Sequence, residues 1–287
     1  MILIIRIRFN ISIIRFISIQ ICISVSYSVY QYHIMKTGLI KTEDEIEIIA
    51  EGGKILRDIL YKTAELAVPG VSTSDLNKYA EDQIYKAGGQ PSFKNYGPKK
   101  NPFPAGLCTS LNSEVVHGIP SRKIILKSGD IVGLDIGMKY KDLFTDTAIT
   151  VPVGQVSDVA KKIIEAAKQS LSAAIAQAKA GNKIGDIAFA TQSTAEAAGF
   201  SVVRDLVGHG VGYDVHEDPA VPCYGKKGQG IVLKEGMVLA IEPMLCEHEY
   251  FLKVDDDSWT IRTADGGLSA HFEHTIAITK NGARILT

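Results

Sequence analysis

The stretch "GHGVGYDVHEDP", residues 208–219, holds two of the seven histidines in this chain of 287 residues. Glycines flank His209, so imidazole is the one large side chain on a backbone that other groups can approach closely. Imidazole is the commonest metal ligand among side chains. We therefore expect His209 to bind a metal ion. We expect His216, seven residues later, to lie behind the ligands or to face a substrate.

Four carboxylates lie in segments whose other residues are mostly apolar. The segments "DIVGLDIGMKY" and "LFTDTAITVPV" are predicted to form a hairpin centred on residues 140–141, which places Asp135 directly opposite Asp146. Like charges at opposed positions of two strands repel each other unless a cation lies between them. Glu242 in "LAIEPML" and Glu273 in "AHFEHTIAI" are equally unfavourable to bury alone, although each taken singly could form an ion pair or be exposed.

Carboxylates combined with imidazole favour metal chemistry. This donor set suits divalent first-row ions such as Mn, Fe, Co or Zn. Carboxylates shared by two ions hold them about 3.5–4 Å apart, as in two-metal hydrolases. His117 in "NSEVVHGIP" is a third candidate imidazole, but its place before Gly118 also fits an ordinary turn residue. His271 should share the face of Glu273 by strand alternation and line a cleft, without being a ligand.

The elements that must position these residues follow from caps and breakers. Thr42 and Glu45 form a capping box at the start of a first helix, which ends before Pro69. A second helix is predicted over about 75–87, a third after Ser157, and a fourth over about 186–198. The segments "SWTIRTAD" and "LSAHFEHTIAIT" are predicted to pair as strands around residues 265–267.

Part of the chain repeats itself at an offset of 111 positions. Each half is predicted to contain a long helix, a glycine turn, a shorter helix and then strands. This order indicates an internal duplication of an α+β unit, with a cleft between the halves where sites often lie. The matching residues are Gly70, Asp75, Ala87 and Gly88 in the first half and Gly181, Asp186, Ala198 and Gly199 in the second.

Composition excludes several classes of protein. The net charge of −1 gives no electrostatic reason to expect a nucleic-acid partner. The four cysteines are scattered and form no C-x-x-C motif, so neither a disulfide framework nor a cysteine zinc site is indicated. A reducing compartment, the cytoplasm, is the expected location.

The first 34 residues differ from the rest, being rich in isoleucine and without Asp, Glu, Lys, Gly, Pro or Ala. Three interpretations stay open: a signal anchor, although Arg15 interrupts its apolar run; a targeting peptide; or an upstream extension before a true start at Met35. The abrupt change of composition favours the third. We therefore expect a hydrophobic extension over residues 1–34 and one catalytic domain over residues 35–287.

From Met35 to Thr287 the chain resembles methionine aminopeptidases of the bacterial type I class. The motifs that carry the resemblance are "NSEVVHGIP", "GDIVGLDIGMKYKDLFTDTA", "GHGVGYDVHEDP", "GMVLAIEPM" and "SAHFEHT", in this order. The resemblance implies an α+β fold of the pita-bread (creatinase/aminopeptidase) type, with two pseudo-symmetric halves around an antiparallel sheet. It also implies removal of the initiator methionine from nascent proteins and peptides, with a preference for a small second residue.

The resemblance further implies two divalent ions, with Co, Mn, Fe or Zn as candidates. Asp135 would bind one ion, Asp146 and Glu273 would bind both, and His209 and Glu242 would complete the other. The partners would be nascent polypeptide N-termini near the ribosome, and the enzyme would act as a monomer in the cytoplasm.

Around the scissile amide, the resemblance implies that Glu242 handles a proton. His216 would hydrogen-bond the carbonyl oxygen and His117 the amide nitrogen. The pocket for the methionine side chain would include Cys108, Phe93 and Trp259.

Three departures from the family pattern leave all five implied ligands in place. The segment "NYGPKKNPFPAGLC" is several residues longer than usual, so the pocket tyrosines cannot be placed. Val215 stands where an aromatic residue is common, and His271 stands where Gln is frequent.

Two other functions are alternatives. An Xaa-Pro-directed peptidase of the same fold usually carries an extra N-terminal domain, for which this chain has no room. A non-catalytic relative that binds ribosomes or RNA would have lost metal ligands, all of which are present here. A calcium-binding module fits poorly, because calcium prefers oxygen ligands.

Overall fold

The structure, a computed structural model, describes residues 39–287 of the chain. The interpretations of residues 1–34 concern a segment outside the described residues, and residues 39–287 of the expected domain over 35–287 are described. Among the helices described, none is long and apolar enough to cross a membrane.

Residues 39–287 contain four α-helices, as the sequence predicts. They are α1 (Glu43–Glu65), α2 (Thr73–Lys86), α3 (Asp158–Gln177) and α4 (Ile184–Ala197). At the start of α1, the Glu45 N–H donates to the Thr42 hydroxyl, and the Thr42 N–H donates to the Glu45 carboxylate. The hydroxyls of Ser72 and Ser157 cap α2 and α3 by accepting from the N–H groups of Asp75 and Ala160, which lack an acceptor within the helix.

Most strands of residues 39–287 belong to one antiparallel sheet. The strands are β1 (Gln90–Pro91), β2 (Leu107–Leu111), β3 (Glu114–Val116), β4 (Ile131–Tyr140), β5 (Leu143–Pro152), β6 (Ser201–Val202), β7 (Val207–Gly210), β8 (Glu217–Pro222), β9 (Val238–Ile241), β10 (Met244–Cys246), β11 (Leu252–Val254), β12 (Ile261–Thr263), β13 (Ser269–His271), β14 (Glu273–Thr279) and β15 (Gly282–Ile285). The main sheet runs β1-β4-β5-β14-β9-β7-β8, with β2 beside β4 and β15 beside β14. Two small sheets, β13-β10-β6 and β11-β12-β3, lie outside it.

One apolar core joins the four helices to the sheet. Leu60 of α1, Ile84 of α2, Ile163 of α3 and Ile187 of α4 are fully buried in it together with Leu134 of β4. Each such side chain stabilises the fold by about 1.5–3 kcal/mol relative to exposure. Because neighbours along a strand point to opposite faces, the residue after Leu134 turns away from this core. The carboxylate at position 135 therefore faces the other side of the sheet.

The prediction that Asp135 lies directly opposite Asp146 is wrong, because the turn lies one residue later than predicted and the partner of Asp135 two residues later. The β4–β5 turn is formed by Lys141 and Asp142, so Asp135 pairs with Ala148 and Asp146 pairs with Gly137. Both turn residues have positive φ, 47° and 66°, as the favoured two-residue hairpin turn requires. Asp tolerates this backbone region better than the Tyr that the predicted turn would have placed there. The two aspartates stay on one face as diagonal neighbours, so their charges still oppose each other.

The predicted pairing of "SWTIRTAD" with "LSAHFEHTIAIT" is also wrong. Strand β12 pairs with β11 and β3, whereas β13 pairs with β10. Between them, the Thr263 hydroxyl donates to the Gly267 carbonyl and the Gly267 N–H donates to the Asp265 carboxylate. These bonds close a local loop, from which the two strands leave for different sheets.

The predicted duplication is confirmed in detail. Adding 111 to the bounds of α2 gives the bounds of α4, since 73 + 111 = 184 and 86 + 111 = 197. Gly70 and Gly181 both have positive φ, 95° and 91°, a conformation that favours glycine. The Gly70 N–H donates to Leu126 and the Gly181 N–H donates to Leu233, at N···O distances of 2.8 and 3.0 Å. The same backbone frame is thus built twice.

Candidate metal centre

A buried cluster of acidic and imidazole groups lies where the two halves of the sheet meet. One side-chain ligand atom each of Asp146 on β5, His209 on β7 and Glu273 on β14 lies within 4.8 Å of the other two. The Asp146 N–H and the Thr275 hydroxyl are 3.0 Å apart, and the same hydroxyl donates to the Asp146 carbonyl at 2.7 Å. These bonds fix the two central strands beside each other. Nothing in the sequence indicated this role of Thr275.

The other two expected ligands adjoin this cluster. The Nε2 atom of His209 lies 3.5 Å from Oε1 of Glu242, which directly follows β9. Asp135 on β4 is the diagonal neighbour of Asp146 on β5, on the same face of the sheet. The structure therefore brings all five residues into one site.

Three carboxylate oxygens of this site lack hydrogen-bond donors. Within residues 39–287, the buried atoms Asp135 Oδ1, Asp146 Oδ1 and Glu273 Oε1 have no hydrogen-bond partner. Burial raises the pKa of Asp135 to about 7. Burial, followed by the neighbouring Asp135 carboxylate, raises the pKa of Asp146 well above its ordinary value. Burial, followed by the Asp146 carboxylate, does the same to the pKa of Glu273. Buried carboxylates without donors are strongly unfavourable, and divalent cations would supply what is missing. The residues present fit such ions.

The imidazole of His209 is oriented for ligation. Its Nδ1 lies 2.9 Å from the carbonyl oxygen of Gly210, which can only accept a hydrogen bond. Nδ1 therefore carries the proton in the neutral ring, and Nε2 offers its lone pair on the side of Glu242. The ring centroid of His216 is 4.4 Å from that of His209, so the two histidines of the opening motif share the site.

His117 and His216 flank the carboxylates as neutral groups. Burial lowers the pKa of His117 to about 4, and it lowers the pKa of His216 well below the ordinary value. His117 has a φ of 59°, an unfavourable backbone region for a residue other than glycine. Neutral imidazole can donate one hydrogen bond and accept another, which suits contact with an amide.

A wall of buried apolar side chains adjoins the carboxylates. Cys108 on β2 is the backbone partner of Asp135 on β4, so the wall begins one strand away from the acidic cluster. Trp259 lies edge-on to Phe103 at 5.3 Å and to His117 at 6.1 Å, measured between ring centroids. The buried residues of this wall are Phe93, Phe103, Ala105, Cys108, Val215 and Trp259. The three predicted pocket residues are therefore brought together.

The unusually long loop before Cys108 supplies a contact that the sequence did not predict. The Tyr96 hydroxyl lies 2.7 Å from Nδ1 of His216. Farther along the loop, the Asn101 carbonyl accepts a hydrogen bond from the Trp259 indole N–H at 3.0 Å. The loop thus touches both a candidate catalytic imidazole and the pocket wall.

His271 lines the cleft as its strand position indicates. It is buried, and its Nε2 lies 3.3 Å from Oε2 of Glu242. One carboxylate oxygen of Glu242 therefore faces His271 and the other faces His209. This arrangement restricts Glu242 to a defined orientation.

Comparison with known proteins agrees with this geometry. Residues 47–280 match metallopeptidase family M24. Methionine aminopeptidase of Clostridium acetobutylicum is 45% identical over 249 residues, which cover 87% of this chain and 98% of that protein. The solved structure of methionine aminopeptidase from Thermotoga maritima matches with a TM-score of 0.84 and 43% identity, covering 86% of this chain and 98% of that one. The prolidase of Pyrococcus horikoshii matches at 26% identity and a TM-score of 0.67, but the match covers 63% of the prolidase chain.

Proposed function

The chain belongs to metallopeptidase family M24 and, within it, to the methionine aminopeptidases, and from this premise we propose which residues perform the hydrolysis. The enzyme removes N-terminal methionine from peptides and nascent proteins with a small second residue. The observation that carries the proposal is the buried cluster of Asp146, His209 and Glu273, whose ligand atoms lie within 4.8 Å of one another. It adjoins a cluster of buried apolar side chains that includes Phe93, Cys108 and Trp259.

Five residues would hold the two divalent ions of this proposal. They are Asp135, Asp146, His209, Glu242 and Glu273. The unpartnered oxygens of the three strand carboxylates support this assignment, and the mixed donor set suits Co, Mn, Fe or Zn. When bound, the ions supply Lewis-acid activation of water and of the scissile carbonyl.

The chain's own groups bind the peptide and move the proton. Glu242 accepts the proton of the attacking water and carries it to the leaving amine. His216 donates from Nε2 to the carbonyl oxygen, because a Tyr96 hydroxyl that donates to Nδ1 leaves the proton on Nε2. His117 hydrogen-bonds the amide nitrogen side of the scissile bond.

The pocket selects methionine by shape and polarisability. Phe93, Cys108 and Trp259 form an apolar wall, and thioethers make favourable contacts with aromatic rings and soft sulfur. Burial raises the pKa of the Cys108 thiol well above its ordinary value, so this thiol stays neutral and acts as an apolar surface.

The partner of this site is the free N-terminus of a polypeptide. Nascent chains near the ribosome, in the cytoplasm, are the proposed source, and the enzyme works as a monomer. The near-zero net charge is consistent with recognition of peptide rather than nucleic acid. Light scattering of the purified full chain tests the monomer directly.

The experiment for the proposed function is release of free methionine by the full chain. Met-Gly-Met-Met is compared with Ala-Pro, first in EDTA and then with Co, Mn, Fe or Zn added singly. Metal-dependent release from the first peptide alone supports the proposal. Cleavage of Ala-Pro alone would instead favour the Xaa-Pro-directed alternative. No cleavage with any metal would contradict both.

A further inference from the structure

Glu217 directly follows His216 and is buried in an ion pair that joins distant parts of the chain. Its Oε2 contacts the ammonium of Lys41, and both side chains are 1% exposed. Lys41 lies two residues before α1, and its N–H donates to the Gly236 carbonyl at 2.8 Å. The pair therefore ties the turn beside His216 to the backbone at the start of the first helix.

The other oxygen of Glu217 closes the turn that carries His216. Oε1 accepts hydrogen bonds from the backbone N–H groups of Tyr213 and Asp214, the latter at 2.9 Å. Residues 211–216 connect β7 to β8, and Gly210 and Glu217 are backbone partners across its ends. One carboxylate thus holds the turn from inside.

The space beneath the turn is filled by Lys41. A Cβ atom on Gly212 would lie 2.6 Å from Cε of Lys41, and the φ of Gly212 is 141°. The Lys41 ammonium also lies 4.7 Å from the ring centroid of Tyr213, whose hydroxyl donates to Glu45 of α1 at 2.8 Å. The lysine stem, the glycine and the tyrosine ring leave the turn little freedom to shift.

Stability alone does not explain a buried ion pair. Apolar side chains of similar volume often serve a protein interior as well or better, because both ions lose hydration. What an apolar residue at 217 cannot supply is an acceptor for two backbone N–H groups. The carboxylate is therefore best explained by the turn that it closes.

We propose that Glu217 is a positioning residue for His216 and that Lys41 is its buried counter-ion. By closing the turn, Glu217 holds the His216 ring 4.4 Å from that of His209 and its Nδ1 2.7 Å from the Tyr96 hydroxyl. This inference rests on the proposed function, in which His216 donates to the scissile carbonyl. It separates two roles: the acceptor at position 217 governs turnover, and the charge balance with Lys41 governs stability.

Two double variants of the full chain separate these roles. Both K41M/E217Q and K41M/E217M remove the buried charges and keep an unbranched side chain at position 217. The first variant retains an amide oxygen as acceptor, whereas the second has none. For each, kcat and KM for Met-Gly-Met-Met, the Tm and the bound metal per chain are measured. K41M alone is added, because it leaves the Glu217 carboxylate buried without the Lys41 cation.

The acceptor should decide turnover. K41M/E217Q is expected to keep kcat within about threefold of wild type, because the same two N–H groups remain bonded. K41M/E217M is expected to lose about 100-fold in kcat with little change in KM, as a displaced catalytic group does. Metal content should be unchanged in both, because no proposed ligand is altered. K41M alone should have the lowest Tm of the set.

A purely structural role predicts a different pattern. Equal kcat in the two double variants, both folded, would overturn the proposal. A loss of kcat of tenfold or more in K41M/E217Q at normal metal content would also overturn it. This second outcome can be measured even if K41M/E217M does not fold. K78M, which breaks the exposed Lys78–Asp82 pair, is the control and should change neither kcat nor Tm appreciably. A wild-type chain that releases no methionine would instead contradict the proposed function itself.

Discussion

The two halves of the molecule share one backbone frame but connect their inner strands differently. Leu126 and Leu233, which accept the hydrogen bonds of Gly70 and Gly181, lie 107 positions apart. Asp135 and Glu242 are separated by the same 107 positions, so the two proposed ligands occupy equivalent places. In the first half, β4 and β5 are joined by two residues. In the second half, residues 242–272 separate β9 from β14 and include four further strands. The shared backbone frame positions the proposed metal ligands, and the segments that join the inner strands contribute the residues around the substrate.

The connections also explain how the substrate side is assembled. The long loop before β2 contributes Tyr96, and the long connection of the second half contributes Trp259 and His271. The two connections meet where the Asn101 carbonyl accepts a hydrogen bond from the Trp259 indole N–H. We therefore expect substitutions of the two equivalent ligands to have similar effects, and substitutions on the two unequal connections to have different effects.

Removing either of the equivalent ligands should have the largest effect. Asp135→Ala and Glu242→Ala should each lower kcat/KM by more than about 100-fold, beyond the loss typical of groups that only support a ligand. Each should also lower the metal bound per chain, measured by elemental analysis. Wild-type turnover in the Glu242→Ala protein would show that the ligand assignment is wrong, and a loss in one variant alone would break the equivalence.

Removing His216 should affect the chemical step more than binding. His216→Ala should lower kcat by about 10²–10³-fold with a small change in KM, because one donor to the developing oxyanion is lost. Steady-state kinetics at saturating metal measure both values. His117→Ala is the comparison from the first half and should lose less. Equal losses would contradict the different roles assigned to the two imidazoles.

Bound metal should stabilise the folded protein, because its proposed ligands come from both halves. At a concentration about 100 times the Kd, a single ion contributes about 2.7 kcal/mol. For a domain of this size, that corresponds to a rise in Tm of about 5–11 °C. Calorimetry with and without Mn measures the shift. Glu273→Gln should remove much of it, and an undiminished shift in that variant would place the bound metal elsewhere.

The smallest effect should come from the long loop. Tyr96→Phe removes the hydroxyl 2.7 Å from His216 Nδ1 while leaving the ring in place. We expect kcat to fall about tenfold, the lower limit for a group that orients another residue. Unchanged kinetics would mean that the loop does not set the proton position on His216.

Local signals predicted the frame well. The Thr42–Glu45 capping box and the serines before α2 and α3 mark helix starts, because a cap depends on residues only three positions apart. The offset of 111 predicted the second half from the first. The carboxylates were recognisable because charges in apolar strands need an explanation that neutral residues do not.

The features that the sequence did not predict correctly depend on tertiary structure. The turn at Lys141 and Asp142 differs from the predicted one by a single residue, and nothing in the strands themselves fixes that step. Tyr96 meets His216 across 120 positions, and Lys41 meets Glu217 across 176. Contacts this distant in sequence arise only when the halves pack, so spacing along the chain carries no signal for them.

In the proposed enzyme, the two halves jointly hold a two-ion centre. Its most direct test is anomalous diffraction from crystals of the full chain grown with Mn or Co, with data on both sides of the absorption edge. We expect two peaks, both in contact with Asp146 and Glu273, one beside Asp135 and the other beside His209 and Glu242. Peaks confined to other parts of the molecule, or none in this cavity at saturating metal, would contradict it.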